Sequence, residues 1–187
     1  MLSNIFSFIV TIAFTLFGVA LILRAWSYAI RLHPFNPYSQ AIFSLTDWLV
    51  QPIRRFVGPS GRFDTPSIIA CWLTAFVFQL IIWVTLTGQA PLVQMLLPTV
   101  FSGIFMVFKW TFNLILWATL IQVVLSWVNP AAPIMPVLQT LTAPLLNPIR
   151  RLIPNFGGLD FSPLVLIILA QIGIVVLEQI VFSLAGI

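Results

Sequence analysis

The sequence predicts an all-α membrane protein in which four transmembrane helices form two parallel repeats, each a transmembrane helix, an amphipathic interfacial connector and a second transmembrane helix. Three observations predict it. The 187-residue chain is 60% hydrophobic and only 6% charged, with a mean hydropathy of +1.11, and a soluble domain of that composition would expose more apolar surface than water tolerates. Four stretches are long and apolar enough to cross a ~30 Å hydrocarbon layer, which takes about 20 residues of helix. Finally, residues 34–64 align without gaps to 130–160 at a constant offset of 96, with 11 identities in 31 positions. These are Pro34/Pro130, Pro37/Pro133, Leu45/Leu141, Thr46/Thr142, Leu49/Leu145, Pro52/Pro148, Ile53/Ile149, Arg54/Arg150, Arg55/Arg151, Gly61/Gly157 and Asp64/Asp160.

The first repeat covers 1–90. Its first span, at about 5–31, is apolar from Ile5 to Leu23 and closes on Arg24 and Arg31. No basic residue precedes the apolar run, the run is long and arginines follow it, so it reads as a retained anchor rather than a cleaved signal peptide. The connector occupies 34–64. The second span, at about 66–87, starts from Thr65-Pro66, an N-cap followed by proline at the first helical position, and stops at Gly88, a C-cap residue.

The second repeat covers 99–187, after an outer linker at 91–98. The stretch from Pro91 to Val128 would measure ~57 Å as one helix, too long for a single crossing, so Pro98 is expected to break it and the third span to occupy about 103–128. The connector follows at 130–160, and Ser162-Pro163 opens the fourth span, at about 163–185.

Seven arginines, at 24, 31, 54, 55, 62, 150 and 151, all fall in or beside the two connectors. By the positive-inside rule both connectors are cytoplasmic and both termini face outward. Each repeat holds an even number of spans, so the copies share one orientation. The net charge of +4 comes from too few cations to read nucleic acid, and no nucleic-acid partner is expected. Cys71 lies alone in an apolar run and reads as a packing residue.

Within the first connector Ile42, Leu45, Leu49, Ile53 and Phe56 follow helical spacing, and Leu138, Leu141, Leu145, Ile149 and Leu152 repeat the stripe in the second. Such stripes predict segments lying at the cytoplasmic interface, each broken by Pro52 or Pro148 into a longer helical piece that ends at Gln51 or Asn147 and a short turn that starts at the proline. For the pairs Arg54-Arg55 and Arg150-Arg151 two readings stay open. The bland one is topology plus attraction to anionic lipid headgroups. The sharper one is a clasp, because each pair precedes Asp64 or Asp160 by nine or ten residues, and each aspartate precedes a helix start whose dipole favours negative charge.

Two charges lie within spans. Lys109 is 18 residues before Trp127 and Glu178 is 16 after Ser162, so both sit ~25 Å from the cytoplasmic side and could pair there. Intramembrane charge is costly enough to make function the default hypothesis, whereas the bland alternative is that both snorkel to the outer interface. His33 has no cluster of ligands around it, which argues against a metal role. No nucleophile and base set, phosphate-binding loop or paired catalytic carboxylates is recognisable, so neither an enzyme nor a cofactor is expected.

The run L-T-A-P-L-L-N-P-I-R-R-L-I-P-N-F-G-G-L-D-F-S-P-L at 141–164, with its degenerate copy L-T-D-W-L-V-Q-P-I-R-R-F-V-G-P-S-G-R-F-D-T-P at 45–66, resembles the YggT (YlmG) family of bacterial and chloroplast membrane proteins. The resemblance covers essentially the whole chain and implies a multi-pass protein of the bacterial inner membrane. It also implies roles associated with cell division or nucleoid and chloroplast organisation, cytochrome assembly, or osmotic-stress tolerance linked to potassium uptake, and it carries over no catalytic residue. The first copy departs from the pattern with Trp48 in place of Pro144, Arg62 in place of Gly158 and one residue fewer between Asp and Pro, so the second is the better candidate if the motif is a binding site.

A scaffold or assembly factor whose connectors bind anionic headgroups, or other membrane proteins, is therefore the expected function. The alternative is an ion channel or transport component in osmotic adaptation, which with four spans would need a homo-oligomer to enclose a pore. The repeated residues concentrate in the connectors rather than the spans, which favours the scaffold.

Overall fold

The computed structural model describes residues 2–31, 37–61, 63–89, 93–153 and 160–184. The sequence-predicted features at His33, Arg62, Gly157 and Gly158 lie outside them. Among the described residues six helices follow in order: α1 (Leu2–Ala29), α2 (Pro37–Phe56), α3 (Thr65–Thr87), α4 (Val93–Val128), α5 (Met135–Leu152) and α6 (Ser162–Leu184). Of these α1, α3, α4 and α6 are the transmembrane helices, and α2 and α5 are the connector helices.

The ends of α3 follow local chemistry. Asp64, rather than the expected Thr65, occupies the N-cap position, so Thr65 is the first helical residue and Pro66 the second, still inside the first turn where its missing N–H leaves no bond unmade. At the other end Gly88 takes the left-handed conformation, φ 67°, and its N–H reaches the Val84 carbonyl at 2.9 Å.

Proline breaks none of the three helices it was expected to break or bend. α4 runs unbroken through Pro98, so the stretch is a single 36-residue helix rather than a linker followed by a span. Pro98 is its sixth residue, so the ring removes only one bond, to the Gln94 carbonyl, just beyond the first turn where donors are unpaired anyway. At ~1.5 Å per residue α4 exceeds the hydrocarbon thickness, which a membrane helix accommodates by tilting or by projecting past the interface. α2 likewise continues through Pro52, and α5 through Pro144 and Pro148. All three connector prolines are exposed, so the carbonyls they leave unbonded lie on the open side of the helix.

The chain forms two compact units, 1–110 and 111–187, that divide within α4. In the first, α1 packs on α3, and α2 packs on both. Its core holds Leu21, Ala70, Cys71, Ala75, Phe78 and Trp110. Trp110 packs directly against Gly18, where a Cβ would come within 2.2 Å of the indole. Phe78 adds a tilted ring contact to Trp110, centroids 6.2 Å apart. Polar contacts also tie α3 to the start of α4: Trp72 Nε1–H donates to the Val100 carbonyl at 3.1 Å and the Ser102 hydroxyl to Gln79.

In the second unit α5 packs on α6, with Leu138, Leu146, Leu166, Ala170 and Ile174 buried. Gly173 of α6 admits the Phe112 ring of α4, which would stand 2.7 Å from an added Cβ.

The two connector helices differ in how they use the apolar stripe: α5 buries Leu138 of its stripe, whereas α2 turns part of its stripe away from the protein. α2 buries Ser39, Thr46 and Val50, while Leu45 and Phe56 of the stripe are exposed. Hydrocarbon solvates an apolar side chain as well as a protein core does, so a helix at the membrane surface can turn leucines outward and spend its buried face on polar contacts.

Candidate functional site

The candidate site is built where α1 ends, α2 passes and α3 begins. One chain reversal brings the last two of these together. After α2, Ser60 and Phe63 exchange both backbone hydrogen bonds, at 3.1 and 3.0 Å, across a tight reversal in which Gly61 has φ 58°. That left-handed conformation suits glycine. The reversal carries Asp64 back beside Arg54, ten residues earlier.

Asp64 is 1% exposed and makes no cap bond to the α3 backbone. Its carboxylate instead accepts from Arg54 Nη2 at 2.9 Å and from the Ser67 hydroxyl. Arg24, near the end of α1 and 4% exposed, approaches the same carboxylate with Nε at 3.7 Å. Arg24 Nη1 also donates to Asp47 Oδ1 at 2.7 Å and to Thr46 Oγ1 at 2.8 Å, and its guanidinium lies 4.9 Å from the centre of the Phe43 ring. Two arginines thus face two aspartates. Arg24 and Asp64 are buried, whereas the Asp47 and Arg54 side chains are 37% and 42% exposed, and because a buried charge without a partner costs several kcal/mol, each buried member of the cluster is matched by a partner at its rim.

The second repeat keeps the outer half of this arrangement. Arg150 Nε donates to Asp160 Oδ2 at 2.8 Å, and the Ser162 N–H at the start of α6 donates to Asp160 Oδ1 at 2.9 Å. Partial burial pushes the Asp160 carboxyl up, and the bonds from Ser162 and Arg150 outweigh it, so the group is held below its ordinary value. The inner half is neutral. At offset 96 Leu120 stands for Arg24 and Ala143 for Asp47, and the Thr142 hydroxyl donates to Gln122 of α4 where Thr46 accepts from Arg24.

Of the candidate residues, then, the structure brings Arg54 to Asp64 and Arg150 to Asp160. Arg55 and Arg151 are exposed at the neighbouring positions, with no acidic partner among the described residues. Lys109 lies on α4 in the first unit and Glu178 on α6 in the second, and neither is an unpartnered charge.

Sequence reasoning missed Arg24 and Asp47. In the sequence Arg24 stands out only as an orientation signal, and Asp47 does not stand out at all. The available signal was their joint disappearance at offset 96, since a cation and an acid that vanish together are the pattern an ion pair leaves.

The CCB3/YggT family pattern matches the chain twice, over residues 3–85 and 101–182. The chain is 31% identical over 171 residues to a protein of Escherichia coli K12 named uncharacterized protein YggT, covering 90% of this chain and 87% of that one. It is 35% identical over 167 residues to an uncharacterized protein of Vibrio alginolyticus encoded in the proC 3' region, covering 88% and 89%. An uncharacterized protein of Pseudomonas aeruginosa is 29% identical over 169 residues, covering 80% and 76%. No solved structure matches.

Proposed function

This chain belongs to the CCB3/YggT family, and from that premise we infer that it is a non-enzymatic scaffold or assembly factor of the bacterial inner membrane, acting through cytoplasmic connectors. The observation that carries the inference is the division of labour within each Pro-Ile-Arg-Arg segment. The first arginine is neutralised by the aspartate that opens the next span, which fixes the connector against its own repeat, and the second, exposed like the first, has no acidic partner among the described residues. A rigidly held, outward-facing cation beside an apolar stripe is suited to anionic headgroups or to an acidic surface on another membrane protein. The family resemblance links such a role to osmotic-stress tolerance or to envelope and division organisation.

The in-span charges Lys109 and Glu178 favour a second reading, an oligomeric ion channel or transport component in potassium-linked osmotic adaptation. Both readings meet in one experiment. Purified protein in proteoliposomes is assayed for potassium and sodium flux with and without an osmotic gradient, and in cells photocrosslinkers are placed at exposed positions of α5. The scaffold reading expects flux equal to empty liposomes and crosslinks to a discrete partner. Flux that disappears with Glu178→Gln would replace it with the channel.

A further inference from the structure

The first connector presents an apolar groove and an exposed cation on one face of one helix. α1, α2 and α3 enclose a groove of about 360 Å³ lined in part by Phe14, Phe17, Trp48, Leu73, Thr74 and Val77. The Thr74 hydroxyl turns back to donate to the Ala70 carbonyl at 2.8 Å, so the walls offer an occupant hydrocarbon contact. Trp48 closes the α2 side by stacking on Phe17, ring centres 5.5 Å apart. Arg55 follows Trp48 by seven residues, which places it on the same face of α2, two turns and ~10 Å further along. Arg54 is neutralised by Asp64, whereas Arg55 is exposed and has no acidic partner among the described residues.

We propose that this face of α2 binds one anionic phospholipid, with an acyl chain in the groove beside Trp48 and the phosphate on Arg55. Two of the three walls belong to membrane spans, so what enters the groove comes from the hydrocarbon, and the cation beyond its rim selects a negative headgroup. The spacing fits, because a headgroup layer is ~5–8 Å deep and an arginine side chain reaches several ångströms along the helix surface. The site belongs to the first repeat. Arg151 is exposed in the same way, yet Pro144 stands where Trp48 does and supplies no ring to close a groove. The proposal rests on the connector reading above and gives the first connector's partner a chemistry.

The test is native mass spectrometry of the full chain in neutral detergent, titrated with phosphatidylglycerol or phosphatidylcholine of identical acyl chains. The wild type should retain phosphatidylglycerol roughly fivefold better, the preference one basic residue near a lipid surface supports. Arg55→Gln should abolish the preference, Arg151→Gln should leave it intact, and Trp48→Ala should lower retention of both lipids while keeping their ratio. Equal losses in Arg55→Gln and Arg151→Gln would overturn the site in favour of diffuse charge. Displacement of the lipid by equimolar inorganic phosphate would overturn it in favour of a free-anion site. A wild type without preference, whose connectors still crosslink to a protein, would overturn the lipid site and leave the connector reading standing.

Discussion

Arg24 of α1 and Asp47 of α2 meet at 2.7 Å in the first repeat, and the second repeat has lost both charges, with Leu120 and Ala143 at the corresponding positions. The two copies therefore solve one packing problem twice. A threonine on the connector helix meets a polar side chain from the preceding span, a charged one in the first copy and Gln122 in the second. Either form satisfies the buried hydroxyl, but only the charged form also recruits Asp64.

Arg24→Leu should destabilise the first unit by roughly 3–5 kcal/mol, the usual consequence of removing one partner from a buried ion cluster. Arg24→Leu/Asp47→Ala, which copies the second repeat, should recover part of that loss because one of the orphaned acids goes with it. Unfolding of the purified protein in mixed micelles by graded denaturing detergent measures both. A double variant no better than the single would show that Asp47 is not the acid that matters.

The two aspartates should differ in weight despite occupying equivalent positions. Asp64 is almost wholly buried between two arginines, so Asp64→Asn should cost roughly 3–5 kcal/mol. The Asp160 side chain is 33% exposed and has one arginine, so Asp160→Asn should cost about 1 kcal/mol or less. Equal effects in the same unfolding assay would mean that burial does not set the value of the clasp.

The Arg150–Asp160 contact should respond to acid in a defined sense. A carboxyl held below its ordinary value of 3.8 stabilises the folded state fully above that value and loses its contribution as pH falls through the lower, folded one. The Ser162 amide, which donates to Asp160, reports the change directly. Its NMR shift in micelles should titrate with a midpoint below 3.8, and Arg150→Gln should raise the midpoint. A wild-type midpoint at or above 3.8 contradicts the assignment.

Gly18→Ala should be among the most damaging small changes in the spans. The added methyl would stand 2.2–2.7 Å from three atoms of the Trp110 indole, which is itself 1% exposed and has no room to retreat. Overpacking of this kind costs roughly 1–3 kcal/mol. Thermal unfolding in detergent should show the loss, and adding Trp110→Leu should make the alanine tolerable.

By itself the sequence determined the class of the protein, its four spans, the positions of the connectors and, as one of two open readings, a clasp between each arginine pair and the aspartate that follows it, without saying which arginine closes it. These follow from properties that act locally or recur: apolar length sets a span, Thr65-Pro66 and Gly88 mark the ends of α3 to within one residue, and a repeat states a constraint twice. Tertiary structure alone decided which face each connector buries, that Pro52, Pro98 and Pro148 ride within helices, and that Arg24 completes the charge cluster. The reason is common to all three. Amphipathic periodicity does not say whether hydrocarbon or protein solvates the apolar side, a proline's penalty depends on whether its freed carbonyl is exposed, and an arginine 23 residues from Asp47 and 40 from Asp64 becomes their partner only once α1, α2 and α3 are packed.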